Sequence, residues 1–269
     1  GAISSVTGIP QSTGLTLVIL VIVCAIYTFS VYFGMKGVQL SAATCTWLFF
    51  GLLAYVFFFG GQTRFIIEEG ITALGNLTQN FIGLATWTDS LRTSSFPQTW
   101  TIFYWAYWMV WCVAVPFFIG SISKGRTLRQ VILGGYVFGL SGTFTSFIIM
   151  GNYGLGLQMH GKLDVLSSYA ADGNLYHAIL DILGQLPLSK AVLVLLVLCM
   201  ITFYSTSFDS ITMVASTYTY KKLQSDEEPH RNVKLFWAIF LILLPLALIF
   251  SENSMSNLQT VSIIAAFPV

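Results

Sequence analysis

Long apolar runs alternate with short polar connections along the chain, and the runs have the length of a bilayer crossing. A helix rises about 1.5 Å per residue, so about twenty apolar residues cover a hydrocarbon layer of roughly 30 Å. Such runs lie near residues 14–34, 42–61, 99–120, 131–150, 191–215 and 232–250. A further run, LQTVSIIAAFPV, starts at residue 258 and has about half the spanning length where the sequence stops. Seven crossings are predicted, the last of them truncated, in an all-α polytopic membrane helix bundle. Residues 65–86 place Ile67, Ile71, Leu74, Leu77 or Thr78, Phe81 and Ile82 at helical spacing with polar groups between. That pattern predicts a helix lying in the interface plane. Residues 173–188 predict a second, shorter amphipathic piece.

Composition supports the same class. The sequence is 55% hydrophobic and only 9% charged, with a mean hydropathy of +0.77, whereas soluble domains carry about 25% charged residues. A water-facing surface cannot be built from it. The net charge of +1 and scattered cations give no footprint for nucleic acid. Cys24, Cys45, Cys112 and Cys199 all stand in apolar runs and read as small hydrophobes, not as a disulfide framework or zinc site. The opening GAISSVTGIPQ has neither the basic start nor the apolar run of a signal peptide, and both ends look cut from a longer polytopic chain.

Positive charge in short loops orients membrane proteins. Lys36, Lys124, Arg126, Arg129, Lys221, Lys222, Arg231 and Lys234 fall on one side of the predicted spans. Arg64, Arg92, Lys162 and Lys190 fall on the other, diluted by Glu68, Glu69, Asp89, Asp164, Asp172, Asp181 and Glu252. SKGRTLR and KKLQSDEEPHR are therefore expected in the cytoplasm, and both amphipathic pieces outside.

Polar groups at membrane depth are costly and usually have a reason. Asp209 is the charge that falls within a span, among Ser205, Thr206, Ser207, Ser210 and Thr212. Those hydroxyls could complete the shell of a hard monovalent ion together with backbone carbonyls. They could equally bond the carbonyl four residues back, or join helices. Residues 100–111, WTIFYWAYWMVW, hold seven aromatic rings in twelve positions. On a helix Trp100, Tyr104, Tyr107 and Trp111 share one stripe, with Phe103 and Trp108 at its edges and Trp105 elsewhere. Interfacial anchoring or helix packing could use such a stripe, but it rises roughly 16 Å, toward the midplane. A quaternary ammonium donates no hydrogen bond, so ring faces are the best neutral partner a protein offers it. His160, His177 and His230 are expected as solvated loop residues. Gly134, Gly135, Gly139 and Gly142 suggest close helix packing.

The run FPQTWTIFYWAYWMVW followed by ISKGRTLRQ resembles the signature of the betaine/choline/carnitine transporter family, whose pattern reads Trp-Thr-x-x-Tyr-Trp-Ala-Trp-Trp and then Ile-Ser-Arg-Gly-Arg-Thr. TSFDS at 206–210 resembles the family's Thr-Ser-Ala-Asp-Ser, and LQTVSIIAAFP resembles a late span. The resemblance implies leucine-transporter-type inverted five-helix repeats, with the first repeat largely missing. Its end would fall at about 1–61, the interfacial helix at 65–86, and a truncated second repeat at about 99–269. A homotrimer is implied as well. Carried over by position, Phe103, Tyr107, Trp108 and Trp111 fall on the central aromatic box and Trp100 on an outer aromatic. Thr206 and Ser207, with the carbonyl of Phe203, fall on a Na+ site. Tyr107 stands where the family usually has Trp, and Cys112-Val113 replaces a common Ser-Pro that would interrupt the helix. Sodium-independent members place an arginine on the span matching 42–61. Here Cys45 stands there, flanked by Thr44 and Thr46, which implies a real sodium ion.

The expectation is a non-enzymatic secondary transporter of trimethylammonium solutes in the cell membrane, serving osmoprotection, coupled to Na+ and needing no other cofactor. A sodium-independent exchanger of the same family is the alternative. A seven-helix receptor fits the span count alone, and a retinal protein would need a mid-helix lysine in its last span. A membrane enzyme would need a His, Cys or carboxylate cluster at depth, and Asp209 stands alone there.

Overall fold

A computed structural model describes residues 2–10, 12–112, 115–170, 175–221, 227–249, 260 and 264, the side chains of 2, 6, 121 and 244–249 excepted. In chain order the helices are α1 (Ala2–Thr7), α2 (Thr13–Tyr32), α3 (Met35–Phe59), α4 (Thr63–Gln79), α5 (Phe81–Thr86), α6 (Ile102–Trp111), α7 (Val115–Ile122), α8 (Leu128–Ser146), α9 (Asn152–Met159), α10 (Val165–Ala170), α11 (Leu175–Gly184), α12 (Ser189–Tyr218) and α13 (Arg231–Ile249). π-helical turns precede α6 at Pro97–Thr101 and join α8 to α9 at Phe147–Gly151. No strand occurs among the described residues. In hydrocarbon each backbone group must find a partner within its own segment, which selects helix.

Among the described residues four helices are long and apolar enough to cross a membrane: α2, α3, the continuous Leu128–Met159 and α12. They match the predicted runs at 14–34, 42–61, 131–150 and 191–215. α3 starts ahead of its predicted position because the turn after α2 is tight, with Gly34 at φ +70°, a conformation glycine adopts without strain. The run at 99–120 is helical but segmented. α6 stops at Trp111, and the Cys112 N–H is shared between the carbonyls of Trp108 (3.1 Å) and Met109 (3.2 Å). The absent Ser-Pro does not preserve the helix, because Pro116 supplies the interruption: it has no N–H for the carbonyl of Cys112, and its ring crowds that group. α13 occupies the predicted sixth run, and the seventh lies almost wholly outside the described residues.

Contacts gather the chain into two units. The first comprises residues 1–18, 39–79 and 126–206. Its core joins Leu52 and Val56 of α3, Ile66 of α4, Tyr153 and Leu157 of α9, Leu183 of α11, and Val192, Leu193 and Cys199 of α12. Glycines let segments approach closely: a Cβ on Gly60 would lie 2.7 Å from the Tyr153 ring, and one on Gly70 would lie 2.6 Å from Ile148. Tyr55 donates its hydroxyl to the carbonyl of Pro187 at 2.6 Å. α8 begins with a capping box, Thr127 and Gln130 bonding each other's backbone N–H. The glycines of α8 do not pack as expected. A Cβ on Gly135, Gly139 or Gly142 would meet nothing within 4 Å.

The second unit comprises residues 19–38, 80–125 and 207–269. Cys24, Tyr27 and Val31 of α2 pack with Val38, with Met213 of α12 and with Ala238 of α13. The Tyr27 hydroxyl donates to the carbonyl of Ala238. Glu228 accepts from the Met35 N–H at 3.1 Å and from Lys234 at 3.0 Å, so the buried ammonium is paired.

The predicted interfacial segment forms α4 and α5, interrupted at Asn80. α4 buries Ile66 and Gly70, one turn apart, and leaves Ile67, Ile71 and Leu74 of the predicted stripe exposed. Phe81 and Ile82 of α5 are exposed too. Of the second amphipathic piece, α11 buries Ala178 and Leu183.

Candidate functional site

The loop before the aromatic helix is built on one carboxylate. Asp89 Oδ1 accepts from the Thr93 N–H (3.0 Å) and hydroxyl (2.9 Å), and Oδ2 from the N–H groups of Ser94 (2.9 Å) and Ser95 (2.8 Å) and the Ser94 hydroxyl (3.1 Å). Burial would push the pKa of this group up. The donors from Ser94, Thr93 and Ser95 outweigh it and hold the carboxyl well below the usual range. These bonds keep Asp89, Arg92 and Ser95 at positive φ, which costs non-glycine residues conformational energy. Gln98 donates to the Thr88 carbonyl at 2.9 Å, fixing the entry to the π turn.

From that anchor the rings run on in unbroken contact. Trp100 lies 6.2 Å from Tyr104, Tyr104 5.8 Å from Phe103, and Phe103 6.0 Å from Tyr107. Tyr107 also stands edge-on to Trp108 at 5.9 Å and tilted to Trp111 at 6.0 Å. It is the hub of the row, in contact with three other rings. The buried face of α6 is the small one, at Ala106, so Trp100, Tyr104, Tyr107 and Trp108 remain open, Trp108 being 61% exposed, while Phe103 and Trp111 are half-buried. Trp105, outside the stripe by spacing, lies outside the row. A face of this composition suits an apolar cation. The π turn that opens the helix is a feature frequent at functional sites.

The residues expected to hold sodium are all on α12. Thr206 donates its hydroxyl to the Thr202 carbonyl at 2.5 Å, and its oxygen lies 3.3 Å from the Phe203 carbonyl. Phe203 and Ser207 are exposed. A hydroxyl that has given its proton to a carbonyl still has lone pairs, so the donor chemistry fits a hard cation. Cys45 is buried and thiol-bearing, with no charge to stand in for an ion.

A second polar stripe on α12 is visible only in the structure. Ser205, Asp209, Thr212 and Ser216 recur at helical spacing and are all fully buried. Asp209 sits in mid-helix, and its Oδ2 accepts from the Ser30 hydroxyl of α2 at 2.8 Å. His160 is an exposed turn residue, as expected, and also has neighbours. Its Nδ1 lies 2.7 Å from the Gly156 carbonyl, and its ring stands edge-on to Phe65 at 5.4 Å.

The model of the BCCT family, described as betaine/carnitine/choline family transporter, matches residues 1–269. A carnitine transporter of Acinetobacter baumannii is 30% identical over 268 residues, 99% of this chain and 48% of its own length. The uncharacterized transporter YeaV of Escherichia coli is 28% identical over 267 residues, covering 99% and 55%. Glycine betaine transporter 2 of Vibrio parahaemolyticus is 30% identical over 270 residues, covering 100% and 48%. The chain spans about half the length of the curated relatives it matches. With the whole of its described and undescribed length inside one family model, the chain belongs to the betaine/carnitine/choline transporter family.

Proposed function

We propose that the chain is part of a secondary active transporter that carries quaternary ammonium solutes such as glycine betaine, choline or carnitine across the cell membrane. The observation that carries this reading is the contiguous open ring row from Trp100 to Trp111 in a chain of this family. Phe103, Tyr107, Trp108 and Trp111 hold the onium headgroup, and Trp100 receives it on entry. On this reading the chain supplies the end of one five-helix repeat at about 1–61 and a truncated inverted partner at about 99–269. Inverted repeats of this kind work by rocking about a midplane site. The exposed apolar stripe of α4 and α5 is covered by lipid or by the neighbouring copies of a homotrimer.

Transport is coupled to Na+, held by Thr206, Ser207 and the Phe203 carbonyl. Support comes from the lone pairs of Thr206 beside that carbonyl and from neutral Cys45 where an exchanger would place a fixed cation. Sodium must favour one of the two access states for coupling to arise, since equal binding to both shifts nothing. The test is uptake of labelled betaine, choline and carnitine by the full-length protein in liposomes, with and without an inward sodium gradient. Gradient-driven accumulation is expected for at least one solute. Accumulation only into vesicles preloaded with a related solute would establish exchange, and no uptake of any would remove the transport reading.

A further inference from the structure

In the first unit, the first turn of α4 and the end of α9 border an open polar cavity of about 390 Å³, lined by Gly61, Gln62, Arg64, Phe65, Glu68 and His160. Gln62 is only 5% exposed and its side chain makes no hydrogen bond to another described residue. Its amide lines the cavity, so its hydrogen-bonding groups are available to whatever fills that space. A Cβ on Gly156 would lie 3.2 Å from Gln62 Oε1 and 3.0 Å from the Phe65 ring. The amide oxygen is thus packed against α9, and the NH2 group is the end left for a guest. His160 Nδ1 faces a carbonyl, which only accepts, so Nδ1 is the donor there and Nε2 is the ring nitrogen left for the cavity.

The remaining groups set the charge. Arg64 Nε donates to Glu68 at 2.7 Å, and both side chains are largely exposed. Exposed pairs of this type are weak, so either partner can turn to a ligand, and the guanidinium keeps further donors. A simple anion entering here would meet Glu68, and a simple cation would meet Arg64. A zwitterion satisfies both.

We propose that this cavity is a second binding site, for a zwitterionic quaternary ammonium carboxylate: Gln62 and Arg64 take the carboxylate, while Glu68 and the Phe65 ring face take the onium. The substrate class rests on the function proposed above, and the charge distribution assigns this side to the exterior, where the site would gather solute before transport.

The test uses the full-length protein in lipid nanodiscs and saturation-transfer NMR of the glycine betaine methyl signal. Trp108→Ala with Trp111→Ala disables the ring row. In that background a saturable signal is expected to persist, to fall at least fivefold when Gln62→Leu is added, and to fall similarly with Gly156→Ala, which presses on the amide. Tetramethylammonium and acetate, each matching one half of the site, should each compete at least fivefold more weakly than betaine. A residual signal indifferent to both Gln62→Leu and Gly156→Ala would overturn the site, as would acetate competing as well as betaine. A signal in wild type that vanishes entirely in the double-Trp variant removes this site and leaves the transporter reading intact. Absence of binding and uptake in wild type removes both.

Discussion

The ring row of α6 and the hydroxyl-rich stretch of α12 are both candidate binding elements, yet they present their chemistry in opposite ways. An aromatic face needs no hydrogen bond, so nothing in the helix competes for it, and most rings of the row, Trp100, Tyr104, Tyr107 and Trp108, stay open. A hydroxyl does compete. Thr202, Thr206, Ser216 and Thr217 each bond a carbonyl of their own helix, the ordinary behaviour of Ser and Thr in apolar helices. The difference teaches that a ring pattern points to a face directly, while a hydroxyl pattern points only to a capacity. Site and glue look alike until a ligand is offered.

The comparison breaks most sharply at the rings. Trp108→Ala and Trp111→Ala each remove a ring face worth about 2 kcal/mol once a bound headgroup desolvates it, so each should weaken betaine binding roughly 30-fold and together abolish uptake. Equilibrium binding and liposome uptake check this, with detergent-extracted size homogeneity as the control for folding. Survival of uptake in the pair would move the substrate elsewhere. Tyr107 sharpens the point, because it touches Phe103, Trp108 and Trp111. Tyr107→Ala should cost as much as either tryptophan, while Tyr107→Phe, which keeps the face and loses the hydroxyl, should stay within about threefold in affinity.

The α12 side divides into two smaller effects. Ser30→Ala removes the donor to Asp209, and losing a hydrogen bond to a buried polar group costs about 1–3 kcal/mol. The thermal midpoint of the purified protein should fall, with the ring row's affinity unchanged. Thr206→Val keeps the shape and deletes an oxygen bonded to its own helix, so stability should change by no more than about 0.5 kcal/mol. If Thr206 also meets the ion, the sodium concentration giving half-maximal uptake should rise about tenfold. No change in sodium dependence would return Thr206 to ordinary helix bonding.

How far the sequence reached follows the same divide. Local patterns were sufficient for the four long apolar helices, for the ring stripe and for the amphipathic α4. They also held the interruption after Trp111, which lies in Pro116 and not in a Ser-Pro pair at 112–113. What they did not hold was pairing over distance. Ser30 and Asp209 are bonded across 179 positions, and Gln62 meets Gly156 only because α4 lies on α9. The α8 glycines show the converse failure: a small-residue pattern predicts close approach, but the approaching helix must exist beside it. Close approaches occur instead at glycines such as Gly60, Gly70 and Gly156, where another helix does lie alongside.

The smallest effect concerns the loop that delivers the ring row. Asn at position 89 would keep one acceptor but turn an NH2 group toward N–H donors now bonded to Asp89 Oδ2, so Asp89→Asn should loosen residues 87–96 at every pH. In the native protein the folded carboxyl is held below its ordinary value. Its contribution is therefore fully present above the usual carboxylate range, near pH 4, and is lost only as pH falls through the depressed folded value. Emission from Trp87 and Trp100 should be flat from about pH 7 to pH 4 and change below that in the native protein, whereas Asp89→Asn should show the altered emission throughout, with no acid transition of its own. Because the loop positions the rings without contacting the headgroup, the half-saturating betaine concentration should rise only about twofold. A rise as large as that for Trp108→Ala would mean that the row depends on its anchor for shape, and that the ring faces alone do not define the site.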